Sequence, residues 1–241
     1  MKILAIDTTS GACSVALYDD GQVAEQFFRA ERDHTRRLLP MVEAVLAEGQ
    51  NSLGQVDALA VSQGPGSFTG LRIAISCVQG LAFSADKPVV PVSSLAALAL
   101  GARRSHPEWG EAPVLAALDA RMQEVYWGLY SPGDITNALL ADAVSAPEQV
   151  VSALRAAGYL QADSVSSDCA FYGAGPGWEY PELAALNPLE VSRESAIHAQ
   201  DIAVLAAQLW PQGIQVSPED LEPAYLRNEV TWKKRERIRQ R

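Results

Sequence analysis

Four short stretches of this 241-residue chain hold residue types that could do chemistry. The first is Ile3-Leu4-Ala5-Ile6-Asp7-Thr8-Thr9-Ser10, an apolar run that ends in a carboxylate and three hydroxyls. A buried strand would carry Asp7, Thr8 and Thr9 to its C-terminal mouth. There an acid can hold a hydrated metal, and hydroxyls and turn amides can face phosphate. The same residues also suit an Asx-type turn that only caps a hairpin. The second stretch is Gly64-Pro65-Gly66-Ser67-Phe68-Thr69-Gly70-Leu71-Arg72, a glycine-rich bend between a strand and a helix. Its G-x-G-x-x-x-G spacing is one residue too long for a dinucleotide fingerprint, and no Gly-Lys-Ser/Thr follows to make a P-loop. Pro65 stands where a G-x-S-x-G elbow needs glycine. Amides around Gly64, Gly66 and Ser67 could still hold an anion at the helix N-terminus, and a tight strand-to-helix turn is an equal reading.

The third stretch, Asp119-Ala120-Arg121-Met122-Gln123-Glu124-Val125-Tyr126, clusters charges at a strand–strand turn, which suits a local ion-pair network. The fourth is the extended segment Glu222-Pro223-Ala224-Tyr225-Leu226-Arg227. Metal chemistry finds no motif: His34, His106 and His198 stand apart, without H-x-x-x-H or H-E-x-x-H spacing. Ser67 has no histidine partner in view for serine hydrolysis. The odd, scattered cysteines Cys13, Cys77 and Cys169 suit buried thiols in a reducing compartment.

These residues need elements to position them. Periodicity predicts strands at 2–7, 13–18 and 22–29, with Asp19-Asp20-Gly21 as a hairpin turn. A helix follows from an N-cap at Asp33 or Thr35 to a stop at Gly49, and Pro40 is tolerable only near its first turn. A strand at 56–62 leads through the glycine-rich bend into a helix to about residue 84, then a strand at 88–92 and a helix at 94–103. That order is an α/β layout with mixed sheets, a meander feeding parallel crossovers. The chain breaks at Ser105-His106-Pro107, which divides it into lobes 1–104 and 105–241. In the second lobe strands are expected at 113–118, 123–130 and 169–173, and helices at 147–157 and 195–209, the last free to pack back on the first lobe. Leu118-Asp119 and its strand form a loose duplicate of Ile6-Asp7 and its hairpin.

Composition narrows the class. Hydrophobic residues make up 48% of the chain, enough for a core without cross-links. Residues 227–241 hold seven basic side chains against two glutamates, a net +5, which leaves residues 1–226 at −15. So acidic a body repels a phosphate backbone and excludes broad nucleic-acid binding, with the basic tail as the only exception. No run of about 18 apolar residues is visible and the N-terminus has no basic-then-apolar leader pattern, which points to the cytosol and away from a membrane.

Taken together, in this order and spacing, the four stretches resemble the TsaB (YeaZ) family, and they span essentially the whole chain. The glycine-rich loop is the most specific of them. The resemblance implies a two-lobed actin-like (ASKHA) fold and a role in placing threonylcarbamoyl on adenosine 37 of tRNA. It implies a TsaD-like transferase and a TsaE-like ATPase as partners, a homodimer when alone, and tRNA contact only through the complex. No cofactor is implied for this chain by itself, and ATP or ADP with Mg enters at the level of the complex. Where the catalytic relatives have a paired-histidine helix motif, this chain offers Asp33-His34-Thr35, one histidine only. A subunit without its own metal site or catalytic residues is therefore expected. The family pairs through two helices, here 34–48 and 70–84, with Leu38, Leu39, Val42, Leu46, Ile75, Val78 and Leu81 as the expected interface. The rival reading is an ATP-using small-molecule kinase of the same fold, with Gly173-Ala174-Gly175-Pro176-Gly177 gripping adenosine and Asp119 as its carboxylate. A peptidase lacks a nucleophile–base pair.

Overall fold

A computed structural model describes residues 1–29, 33–160 and 170–227. It begins with β1 (Lys2–Asp7), β2 (Ala12–Asp19) and β3 (Gln22–Arg29), an antiparallel meander. The β2–β3 turn is Asp20-Gly21, with φ of 46° and 97°, the double left-handed pattern that matches strand twist. Helix α1 (His34–Glu48) crosses to β4 (Ala58–Gly64), α2 (Phe68–Ala85) crosses to β5 (Val89–Ser93), and α3 (Ser94–Ser105) leaves the first lobe. The second lobe holds β6 (Val114–Asp119), β7 (Val125–Tyr130), β8 (Ala138–Ser145), α4 (Pro147–Ala156), β9 (Tyr172–Ala174), α5 (Pro181–Ala184), β10 (Val191–Ser192) and α6 (Ala199–Leu209).

Among the described residues the sheets run β3-β2-β1-β4-β5 and β8-β7-β6-β9-β10. The two orders are the same, three antiparallel strands joined to two parallel ones, so the chain is a duplicated, two-lobed actin-like α/β fold. Strand alternation explains how each side of the first sheet is covered. Leu4, Ile6, Val15, Leu17, Leu59 and Val61 face α1 and α2, while Ile3, Ala5, Ala16, Ala58 and Ala60 face α3 and α6. The second face is alanine-rich, as are the contact residues Ala199, Ala203 and Ala206 of α6, so this late helix lies close on the first sheet. Helix α3 touches strands of both sheets and joins the lobes in one core. Leu115, Trp127 and Leu129 form the outer core of the second lobe under α4 and α5.

Several expectations need correction. Pro40 lies well inside α1, not in its first turn. The missing N–H leaves the Arg36 carbonyl without its helical donor, and both residues are exposed, where water can serve. Gly49 does end α1, but with φ −77°. Its Cβ would stand 2.6 Å from Leu17 Cδ2, and Gln50, at φ 52°, takes the left-handed position instead. The last helix starts at Ala199, four residues later than expected. Glu194 accepts the Ser195 and Ala196 amides at 3.0 Å, and Ser10 and Ser14 hydroxyls accept those of Ile197 and Ala199, so 195–198 stay extended. Strand β8 was not expected. It is an edge strand of mostly helix-favouring residues, half exposed, and only its pairing with β7 makes it a strand. Among the described residues one helix, Phe68–Ala85, is long and apolar enough by composition to cross a membrane, but Arg72 and Gln79 interrupt it and it packs on the first sheet, so the expectation of no unbroken apolar run stands. Cys169, the start of the expected 169–173 strand and the basic tail beyond Arg227 lie outside the described residues.

Candidate functional site

All four chemical stretches meet at one edge of the molecule. The strand-end residue Asp7 is fully buried, with Thr9 donating to it twice, through its amide (3.1 Å) and its hydroxyl (2.6 Å). That is an Asx turn. Burial lifts the Asp7 carboxyl above its ordinary range, opposed by the nearby Ser62 hydroxyl and by the two Thr9 hydrogen bonds. Thr8 is equally buried, and its hydroxyl donates 2.6 Å to the Gly70 carbonyl. Neither side chain reaches the space between the lobes, which corrects their expected role in nucleotide or anion contact.

The glycine-rich bend is explained by the same crowding. A Cβ on Gly70 would stand 1.8 Å from the Thr8 carbonyl oxygen, and one on Gly66 2.9 Å from Thr9 Cβ. Gly64 (φ 120°) turns the chain beside Ala224 and is also sealed from the cleft. The Ser67 amide donates to Thr9 O at 2.9 Å, and its hydroxyl caps α2 by accepting from Gly70 N at 3.3 Å. The loop is chiefly a close-packed strand-to-helix joint.

What does open between the lobes is a cleft of about 640 Å³. Thr9, Gly66, Ser67 and Thr69 line it from the first lobe, and Asp119, Arg121, Tyr126 and Ser195 from the second. Of the expected anion contacts, then, Thr9, Gly66 and Ser67 reach the cleft while Asp7, Thr8 and Gly64 do not. Of the glycine run 173–177, Pro176 lines this space, while Gly175 and Gly177 are turned into the packing against β6. Cβ atoms on Gly175 and Gly177 would stand 2.5 Å from Ala117 O and 2.6 Å from Ala117 Cβ, so these glycines exist to pack against β6.

The turn after β6 holds three consecutive non-glycine residues at positive φ: Arg121 (62°), Met122 (56°) and Gln123 (62°). Such backbone is costly unless its surroundings hold it. Asp119 accepts from the Arg121 amide at 2.8 Å and from Tyr180 OH at 3.0 Å. From the other side, Arg227 pairs with Glu124 and donates 3.1 Å to the Ala120 carbonyl. Arg227 arrives on a strap that is bonded to the first lobe: Gln63 and Ala224 share a backbone bond of 2.8 Å, and Gln79 donates 3.1 Å to the Leu221 carbonyl. Tyr225 lies 6.0 Å from the Phe68 ring, and Arg72 stacks over that ring at 4.0 Å.

The second open region is an apolar groove of about 850 Å³ between α1 and α2, lined by Leu38, Leu39, Phe68, Ile73, Cys77 and Leu81 among others. Here the expected interface needs correction. Val42, Leu46, Ile75 and Val78 are buried against the sheet, as is Leu38, which forms the groove floor at 2% exposure. Leu39 (51%) and Phe68 (56%) are the open side chains, with Leu81 partly covered. Phe68, Ile73 and Cys77 also line the groove, outside the expected interface set. Their signal was that apolar residues on 70–84 occupy more than one helical face. Helix α1 starts at His34 with no side-chain cap bond from Asp33. Two of the separate histidines pair with carboxylates: His198 meets Glu25 at 2.9 Å, and His106 meets Glu108 at 3.0 Å.

Known proteins supply the context. A family model described as TsaD, tRNA N6-adenosine threonylcarbamoyltransferase, matches residues 27–216. The tRNA threonylcarbamoyladenosine biosynthesis protein TsaB of Escherichia coli is 42% identical, covering 97% of this chain and 98% of that protein. Its namesake in Haemophilus influenzae is 37% identical, over 97% of each. The solved structure of YeaZ from Pseudomonas aeruginosa superposes with a TM-score of 0.79 at 41% identity, covering 93% of this chain and 99% of that one. Similarity at this level runs end to end and includes both lobes, so the chain belongs to the TsaB (YeaZ) family.

Proposed function

We propose that this chain is a non-catalytic scaffold subunit for threonylcarbamoylation of adenosine 37 in tRNA, acting in the cytoplasm with a TsaD-like transferase and a TsaE-like ATPase. One observation supports the scaffold reading above others. An apolar groove of about 850 Å³ opens between α1 and α2, with Leu39 and Phe68 standing out at its rim. Exposed apolar surface of this extent favours a partner helix pair. The occupant is the TsaD-like subunit in function, and a second copy of this chain when alone. ATP or ADP with Mg then acts at the level of the complex, and the basic tail approaches tRNA only once the complex has formed.

The test is co-purification of the wild-type chain and a Leu39→Glu, Leu81→Glu variant with the TsaD-like protein of the same cell, followed by a tRNA modification assay. Loss of both pairing and modification, with an unchanged melting curve, is expected. Undiminished pairing by the variant would remove this groove as the interface. ATP turnover with Mg by the chain alone would favour the kinase reading.

A further inference from the structure

The linker between the lobes gathers three metal-ligating groups that the groove and the cleft do not use. His106 caps the C-terminus of α3, Glu108 follows it in the linker, and Glu190 comes from the edge of the second sheet just before β10. His106 Nδ1 is 3.0 Å from Glu108 Oε1 and 3.9 Å from Glu190 Oε1, and the three donor atoms all lie within 4.8 Å of one another. We propose that His106, Glu108 and Glu190 form a divalent-cation site of the zinc class that fastens the inter-lobe linker to the second sheet.

The spacing is the first reason. Ligand atoms held 2.0–2.1 Å from a tetrahedral zinc stand about 3.4 Å apart, against 3.0 Å, 3.9 Å and at most 4.8 Å here, and the ion would displace the proton that His106 Nδ1 shares with Glu108. The approach of Glu190 Oε1 is the second. At 3.9 Å it is beyond hydrogen-bond reach of the imidazole but within ion-pair range of a protonated ring, a place that a shared cation would take over from the proton. The support around the donors is the third. Trp109 Nε1–H donates 2.9 Å to the other Glu190 oxygen, Oε2, which orients the carboxylate and leaves Oε1 free toward His106. Metal-binding carboxylates are held in this way by outer hydrogen bonds. The His106 ring stacks on Trp109 at 4.7 Å, and Trp109 on Tyr172 at 4.3 Å. The backbone beneath is pinned as well: the Trp109 amide donates 3.0 Å to His106 O, and Arg103 donates 3.1 Å to Gly110 O.

One imidazole and two carboxylates, open to water on one side, select the metal class. Calcium takes six to eight oxygens and magnesium keeps most of its water, whereas zinc is content with three such ligands and a water. The bound ion would tie the end of α3 to the strand edge at Glu190, whose carbonyl already accepts the Gly173 amide at 2.8 Å.

Untagged full-length protein, stripped with chelator, is titrated with zinc chloride by calorimetry, with cobalt(II) as an optical probe of coordination. One saturable equivalent and a raised melting temperature are expected. Glu108→Gln and Glu190→Gln should each weaken binding at least tenfold. Glu108 is exposed, so its variant keeps the fold even where the Glu190 change disturbs the Trp109 contact. No saturable equivalent, or an affinity unchanged in Glu108→Gln, would overturn the proposal; the latter would move binding to another histidine such as His198.

Discussion

Arg227 and Glu124 form an ion pair between the strap bonded to the first lobe and the turn of the second. The same guanidinium reaches the Ala120 carbonyl, so one side chain braces a turn whose backbone is otherwise unfavourable. Both partners are partly exposed, and the pair should contribute about 1–2 kcal/mol. Arg227→Ala should lower stability by that amount and speed amide exchange at 120–124. Unchanged exchange there would show that Asp119 and Tyr180 hold the turn without the strap.

Glycines of the loop and of α2 separate packing from flexibility. Gly70→Ala places a methyl group 1.8 Å from the Thr8 carbonyl oxygen, so the strand and helix must separate. A loss of more than about 3 kcal/mol is expected, enough to cut soluble yield. Gly80 has nothing within 4 Å, and Gly80→Ala should stabilise the helix by roughly 0.5–1 kcal/mol. Denaturant midpoints of the two variants measure the contrast.

Two charged substitutions on α1 and α2 should behave differently. Val78 has no exposed surface, so Val78→Glu buries a carboxylate in the core and should unfold the chain. Leu39 is 51% exposed, and Leu39→Glu should leave the melting temperature within a degree or two while weakening pairing. Thermal melts followed by sedimentation with the TsaD-like subunit distinguish the outcomes.

A pH effect should come from Asp142, which accepts from Ser93 Oγ at 2.5 Å and from Tyr130 OH. Burial lifts its carboxyl above the ordinary range, against the pull of those two hydroxyls. The native state therefore keeps its Asp142 proton to higher pH than the unfolded chain does. Stability from this group is full below the unfolded value near 3.8 and is lost as pH rises through the native one. Asp142→Asn removes the titration, so its stability relative to the natural chain should improve between pH 4 and pH 7. Parallel curves for the two proteins would contradict the assignment.

Much of the architecture was legible because it depends on local pattern. The run Ile3–Ile6, the Asp20-Gly21 turn and the amphipathic α1 each declare their element through spacing and turn chemistry. The strand β8 did not, since an edge strand of alanine and leucine has no period strong enough to announce it. The Asp7 site allowed two readings for a related reason. A carboxylate after a buried strand looks the same whether it faces ligand or its own turn, and only the placement of Thr9 decides.

By itself, then, the sequence determined the α/β class, the two lobes, the strand-to-helix bend that needs small residues, and the family through four motifs in fixed order. Those are properties of short-range pattern and of linear spacing. Only the tertiary structure decided which face of α1 and α2 is open, that Arg227 reaches Glu124 from 103 residues away, and that His106 meets Glu190. Burial and long-range proximity arise when separate elements pack, and no local window contains both partners.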